Sequence, residues 1–174
     1  MIKNVSKLIM LFLSIAFLLV NCSNYDLDKY DANIRYKGKR NTLERTSIRN
    51  GIARHAKKYL GVKYSYAGTS PKGFDCSGFT SYVLKKFDIS LPRSSAAQAQ
   101  SGRRVVLEKV RPGDLVFFSG NKKGKISHVA LVFDNSKEGI KVIHSTTSRG
   151  VIIENISKSK YWRPKIKYAV NVID

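Results

Sequence analysis

Cys76 has the sequence neighbourhood best suited to chemistry. It stands in Gly73-Phe74-Asp75-Cys76-Ser77-Gly78-Phe79, after a Gly- and Tyr-rich stretch (62–75) and before Phe79, Val83, Leu84 and Phe87 at helical spacing. A cysteine at such a junction occupies a helix N-terminus, whose free N–H groups and positive dipole end favour thiolate over thiol. The same N–H groups suit the oxyanion that forms when a thiolate attacks an amide carbonyl. Such a nucleophile needs a base, and the chain has 3 histidines. His55, beside Arg54, Lys57 and Lys58, reads as an exposed surface residue. His128 precedes the apolar run 129–133, and His144 follows 140–143. If these runs pair as a hairpin, both imidazoles meet on the helix-covered side of a sheet. His128 then accepts the thiol proton, and His144 orients its ring. Spacing alone leaves open that both are ordinary half-buried strand residues.

The elements that must position these groups follow from period and punctuation. Ser47 is placed to cap a first helix, with Ile48, Ile52, Ala56, Tyr59 and Leu60 on one face and Gly61 as its stop. A second helix begins at or near Cys76. Pro92 interrupts the chain, and 94–101 reads as a third, short helix. The period then changes: 114–119, 127–134, 140–145, 151–155 and 165–172 are rich in Val, Ile and Phe and read as strands. Helices first and strands after imply an α+β fold, with N-terminal helices packed on an antiparallel sheet of about five to six strands.

The chain's 174 residues fit one ordinary domain plus an N-terminal extension. With 32 Lys+Arg against 12 Asp+Glu, the formal charge of +20 calls for an anionic neighbour. The basic residues are spread along the chain, most densely from 45 to 72, and form no stripe with interleaved aromatics, which argues against a nucleic-acid partner. There is no HExxH or cysteine-rich ligand set, so no metal or other cofactor is expected.

The N-terminus speaks to location. Lys3 and Lys7 precede a nearly unbroken apolar run, 8–20, which is shorter than the ~20 residues a bilayer span needs and matches a signal-peptide core. Leu19-Val20-Asn21-Cys22 follows and resembles the lipobox of bacterial lipoproteins, with Asn21 where Gly, Ala or Ser is usual. The expected organisation is a signal peptide at 1–21, a lipidated Cys22 with a polar, flexible tether over 22–46, and a catalytic domain at 47–174. With 2 cysteines in the chain and Cys22 carrying lipid, Cys76 is a lone thiol in an exported protein, and no disulfide framework is available.

Taken in order, Gly61-Val62-Lys63-Tyr64-Ser65-Tyr66-Ala67-Gly68, Phe74-Asp75-Cys76-Ser77-Gly78-Phe79, Leu91-Pro92-Arg93-Ser94-Ser95-Ala96-Ala97-Gln98, Arg111-Pro112-Gly113-Asp114-Leu115-Val116-Phe117-Phe118, Ser127-His128-Val129-Ala130-Leu131-Val132, Ile143-His144-Ser145 and Tyr161-Trp162-Arg163 resemble the NlpC-type cell-wall cysteine peptidases of the papain-like clan. The resemblance implies Cys76 as nucleophile, His128 as base and His144 as polar third member of a triad. It implies Tyr64 at the oxyanion site, and Asp75 and Ser77 gripping substrate. Arg93 matches a frequent arginine of the family, and Asp75 reads equally as a helix cap. Ala67 and Ala130 stand where many members have Gly.

The implied activity is hydrolysis of amide bonds in peptidoglycan stem peptides, at γ-D-Glu to diamino-acid bonds or at cross-links involving D-Ala. The implied partners are those stem peptides and, through the lipid, a membrane. The chain is expected to act as a monomer, exported and facing the wall. In a host with two membranes Ser23 points to the outer one, because it does not resemble an inner-membrane retention signal. The competing readings are a non-catalytic wall-binding lipoprotein and a papain-like amidase or acyltransferase acting on a non-wall amide.

Overall fold

Leu115–Ser119 has no exposed side, and such a strand belongs in the middle of a sheet covered on both faces. The computed structural model, which describes residues 27–120 and 124–173, places it there. The main antiparallel sheet among the described residues contains β3 (Arg103–Val105), β4 (Leu115–Ser119), β5 (Ile126–Ser136), β6 (Gly139–Thr146), β7 (Gly150–Asn155) and β8 (Ile166–Asn171), in the order β3-β8-β4-β5-β6-β7. Two short strands, β1 (Thr69–Ser70) and β2 (Gly73–Phe74), pair with each other just before a helix. The helices are α1 (Leu27–Lys57), α2 (Cys76–Lys85) and α3 (Ser95–Gln98). This is the α+β architecture that the residue pattern implies.

The sheet carries two cores. On one face Ile52 and Ala56 of α1 and Phe79, Val83 and Leu84 of α2 pack on Leu115, Phe117, Val129 and Leu131. Each fully buried Phe or Leu there contributes about 2–3 kcal/mol. On the other face Val116, Phe118, Ala130, Val132 and Val142 are covered by Val110, Ile156 and Trp162, which come from connecting segments. Ala130 thus belongs to the second core. Arg49 crosses from α1 to the turn before β4, donating to the Pro112 carbonyl at 2.9 Å and to Asp114 Oδ1 at 2.8 Å. That ion pair is buried on both sides, so losing either partner would strand a charge at a cost of about 3–5 kcal/mol.

Several boundaries differ from expectation. The first helix begins at Leu27, so Ser47 lies inside α1 and caps nothing, and residues 27–46 are helical where a tether is expected. That stretch has no apolar period, but it is rich in Arg and Lys and free of proline, and its single glycine, Gly38, weakens a helix without ending it. The chain divides into two units at this region, Met1–Thr42 and Leu43–Asp174, and the sheet belongs to the second. The signal segment 1–21 and Cys22 lie outside the described residues. The third helix is shorter than 94–101, starting on Ser94, whose hydroxyl accepts from Ala97 N–H. Edge strand β3 has no counterpart in the sequence reading, because Arg103 and Arg104 hide its pattern.

Candidate active site

The N-terminus of α2 is built around Asp75. Its Oδ1 accepts from Gly78 N–H at 2.7 Å and from the Ser77 hydroxyl at 3.2 Å, which makes Asp75 the N-cap and Cys76 the first helical residue. The loop before the helix can approach this closely because position 78 is glycine: a Cβ there would stand 2.0 Å from the Gly68 carbonyl oxygen. Arg93 then grips the cap with both arms, pairing with Asp75 and donating to the Ser77 hydroxyl at 3.1 Å. Burial pushes the Asp75 carboxyl up, but hydrogen bonds from Arg93 and Gly78 outweigh it and hold the group below its ordinary range.

Gln98 of α3 anchors the same helix from within. Its amide N–H groups donate to the Ser77 carbonyl at 3.0 Å, the Ser81 hydroxyl at 2.9 Å and the Pro92 carbonyl at 2.9 Å, while its oxygen accepts from Thr80 at 2.8 Å. The side chain is fully buried, with every polar atom engaged.

The histidines come from the β5–β6 hairpin. The ladder between these strands runs from Ser136↔Gly139 to Leu131↔Ile143 and goes no further. Beyond it the Val129 N–H is near enough to Cys76 to favour the thiolate. His128 Nε2 and His144 Nδ1 face each other at 2.9 Å. This leaves Nδ1 as the one ring nitrogen of His128 able to exchange a proton with Cys76. Trp162 roofs the pair, stacked on His128 at 4.6 Å and edge-on to His144 at 5.1 Å.

The histidines do not sit on the helix-covered face, as the sequence reading expects. Their alternation puts them with Ala130 and Val142 in the second core, under Trp162. Cys76 and His128 open onto the same cleft beyond the end of the ladder. His55 also differs: it is half-buried, packed edge-on against Tyr59 and Phe87, and its proton affinity is lowered by burial and by Lys58 and Lys86.

Electrostatically the site rests neutral. Burial raises the Cys76 thiol above its ordinary pKa, Asp75 adds to this, and the N–H groups of Val129 and Ser77 only partly oppose it. The helix-terminus argument for a stabilised thiolate therefore loses to desolvation. His128 is lowered to about 3 by burial and then by His144, and His144 to about 4 by burial and then by Arg149. Tyr64 is raised by burial and by nearby Cys76 and Asp75, so its hydroxyl keeps its proton and remains a donor.

Cys76, His128 and Tyr64 line one cleft of about 370 Å³, together with Ser127, Thr146, Arg149, Glu154 and Trp162. His144 is buried behind His128, and Asp75, Ser77 and Arg93 cluster at the start of α2 without lining this cleft. Among the described residues no group of three His, Cys, Asp or Glu converges as a metal site would. Glu154 and Arg149 escape the sequence reading because each meets the site only through the fold, and Gln98 stands in a recognised motif that gives it no role. Trp162 stands in a recognised motif, but no residue spacing places it over the histidines.

The NlpC/P60 family model matches residues 61–171. Among curated relatives, the chain is 44% identical over 114 residues to the gamma-DL-glutamyl hydrolase of Bacillus subtilis, covering 64% of this chain and 27% of that one. It is 31% identical over 134 residues to the murein DD-endopeptidase MepS/murein LD-carboxypeptidase of Escherichia coli, covering 76% and 68%. Among solved structures, an NlpC/P60 family protein from Bacillus cereus superposes with a TM-score of 0.67 at 33% identity, over 72% of this chain and 40% of that one. The chain spans about a quarter of the Bacillus subtilis relative.

Proposed function

The chain belongs to the NlpC/P60 family, and from that premise we propose that it is a cysteine endopeptidase hydrolysing amide bonds in peptidoglycan stem peptides. The observation that carries this reading is the convergence of Cys76, His128 and Tyr64 on one cleft, with His144 bonded to the far nitrogen of His128. The printed names of the relatives, a gamma-DL-glutamyl hydrolase and a murein endopeptidase, support the substrate class.

In this reading Cys76 and His128 rest as thiol and imidazole. As Sγ bonds to the amide carbon, its proton passes to His128 Nδ1, and the carbonyl oxygen becomes an oxyanion within reach of the Tyr64 hydroxyl and the N–H groups at the start of α2. The C–N bond breaks as His128 returns the proton to the leaving amine. Water, deprotonated by the same histidine, then hydrolyses the thioester. Asp75, Ser77 and Arg93, clustered beside Cys76 at the start of α2, help grip the substrate peptide.

The chain is exported by residues 1–21 and held to a membrane through lipid on Cys22, facing the wall. The apolar run 8–20 and the lipobox-like 19–22 support this. The test is digestion of purified peptidoglycan by the chain lacking residues 1–22, beside its Cys76→Ala form, with soluble fragments read by mass spectrometry. New peptide ends made only by the Cys76 form identify the bond. A folded protein that releases nothing from walls or free stem peptides overturns the reading.

A further inference from the structure

His144 raises a question that the Cys76–His128 chemistry does not answer. Its Nδ1 meets His128 at 2.9 Å, but its Nε2 is fully buried and lacks a hydrogen-bond partner. The carboxylate of Glu154, on β7, stands 3.7 Å from that nitrogen. Three donors hold this carboxylate: Arg149 Nη2 at 2.7 Å and Trp162 Nε1 at 3.2 Å on Oε2, and the Ser159 hydroxyl at 3.3 Å on Oε1.

The contact between two neutral imidazoles admits two tautomers. In one, His128 carries its proton on Nε2, donates to His144 Nδ1, and keeps a free lone pair on Nδ1 for the thiol. His144 then carries its own proton on Nε2, pointing toward Glu154. In the other, His144 donates from Nδ1, His128 carries its proton on Nδ1, and the base is blocked. That arrangement also turns the Nε2 lone pair of His144 toward a carboxylate. The first tautomer gives Glu154 a donor and the second gives it a repulsion.

We propose that Glu154 is a positioning residue that selects the working tautomer of the His128–His144 pair by drawing the His144 proton to Nε2. This rests on the reading of His128 as base. Arg149 has a matching part. By offsetting the carboxylate it lets Glu154 polarise His144 without making it take a second proton. The titratable and charged groups around the pair are Tyr64 from the loop before β1, Cys76 from α2, Arg149 from the β6–β7 turn, Glu154 from β7, and Tyr161 and Lys165 beside Trp162.

The test uses the full chain, labelled with 15N-histidine, and reads the His144 tautomer by long-range 15N–1H correlation at neutral pH. The Nε2–H form is expected in the wild type, with a shift toward Nδ1–H in Glu154→Gln. On stem peptide, Glu154→Gln is expected to lose about tenfold in kcat with KM unchanged, as befits a group acting through the base. Arg149 is 57% exposed, so Arg149→Met can be made without disturbing the core. It unmasks the carboxylate and is expected to move the acid limb of kcat/KM upward in pH.

A wild-type His144 in the Nδ1–H form overturns the proposal. So does a Glu154→Gln protein with unchanged tautomer and kcat, or an Arg149→Met protein with an unmoved acid limb. The tautomer is read without substrate. A wild type that shows Nε2–H yet cleaves no stem peptide therefore counts against the substrate reading and supports this one.

Discussion

The two buried histidines make the fold itself sensitive to acid, to an extent that can be worked out. His144 is neutral in the folded protein down to about 4, against 6.5 when unfolded, and His128 down to about 3. A base whose folded pKa is lowered leaves the unfolded state holding the extra proton throughout the interval between the two values. Stability is thus undiminished above about pH 6.5 and falls as pH drops toward 4. Between pH 7 and about pH 4.5 the loss from His144 alone is about 2 kcal/mol, with a similar loss from His128. Asp75, held below its usual range, titrates below this window and weakens the fold in the same sense.

His144→Asn isolates one contribution, since Asn can still accept from His128 Nε2–H but does not titrate. Urea unfolding of wild type and variant at the two pH values is the assay. The variant should lose about 2 kcal/mol less than the wild type on acidification, whatever its stability at pH 7. Equal losses would mean that His144 titrates normally in the folded protein, and the neutral resting pair would have to be abandoned.

Other outcomes follow from the same geometry. Gln98→Leu removes the amide that engages Ser77, Ser81, Thr80 and Pro92; the Thr80 hydroxyl is then free to donate to the Ser77 carbonyl at 2.9 Å, leaving Ser81 and the Pro92 carbonyl to seek water. The cost should be about 2–3 kcal/mol in urea melts, and a neutral variant would argue against Gln98 as the anchor of α2. Ala67 has a φ of +58°, where an L-residue is strained, so Ala67→Gly should raise stability by about 1 kcal/mol; a loss would contradict the strain. Because the thiol is raised by burial, alkylation of Cys76 by iodoacetamide, followed by peptide mapping, should keep climbing beyond pH 9. A rate already level at neutral pH would point to a preformed thiolate.

The parts of this site carried by local signals were legible in the chain. A loop passing into an apolar helical period placed the start of α2 at Cys76, and the two Val/Ile-rich runs gave the hairpin that brings His128 to His144. What depends on burial was not legible. Alternation groups His128 with Ala130 but cannot say which face of a two-core sheet the helices cover, and the helices took the Val129 side. A helix N-terminus favours a thiolate in water, yet Cys76 is deep enough for desolvation to reverse the sign. Glu154 looks like an ordinary polar residue in the sequence, and Gln98 ends a matching motif that assigns it no role. Only the packed β7 and α3 bring them to His144 and to the floor of the α2 N-terminus.

The central claim is that Cys76 forms a thioester with a stem-peptide acyl group. Its most direct test is an acid-quenched reaction with a synthetic stem peptide, read by intact-protein mass spectrometry and peptide mapping. The account predicts a mass increase equal to the acyl fragment on Cys76, chased away by further incubation, released by neutral hydroxylamine and absent from Cys76→Ala. Turnover of the peptide with no adduct on Cys76 at any quench time, or full turnover by Cys76→Ala, would contradict it.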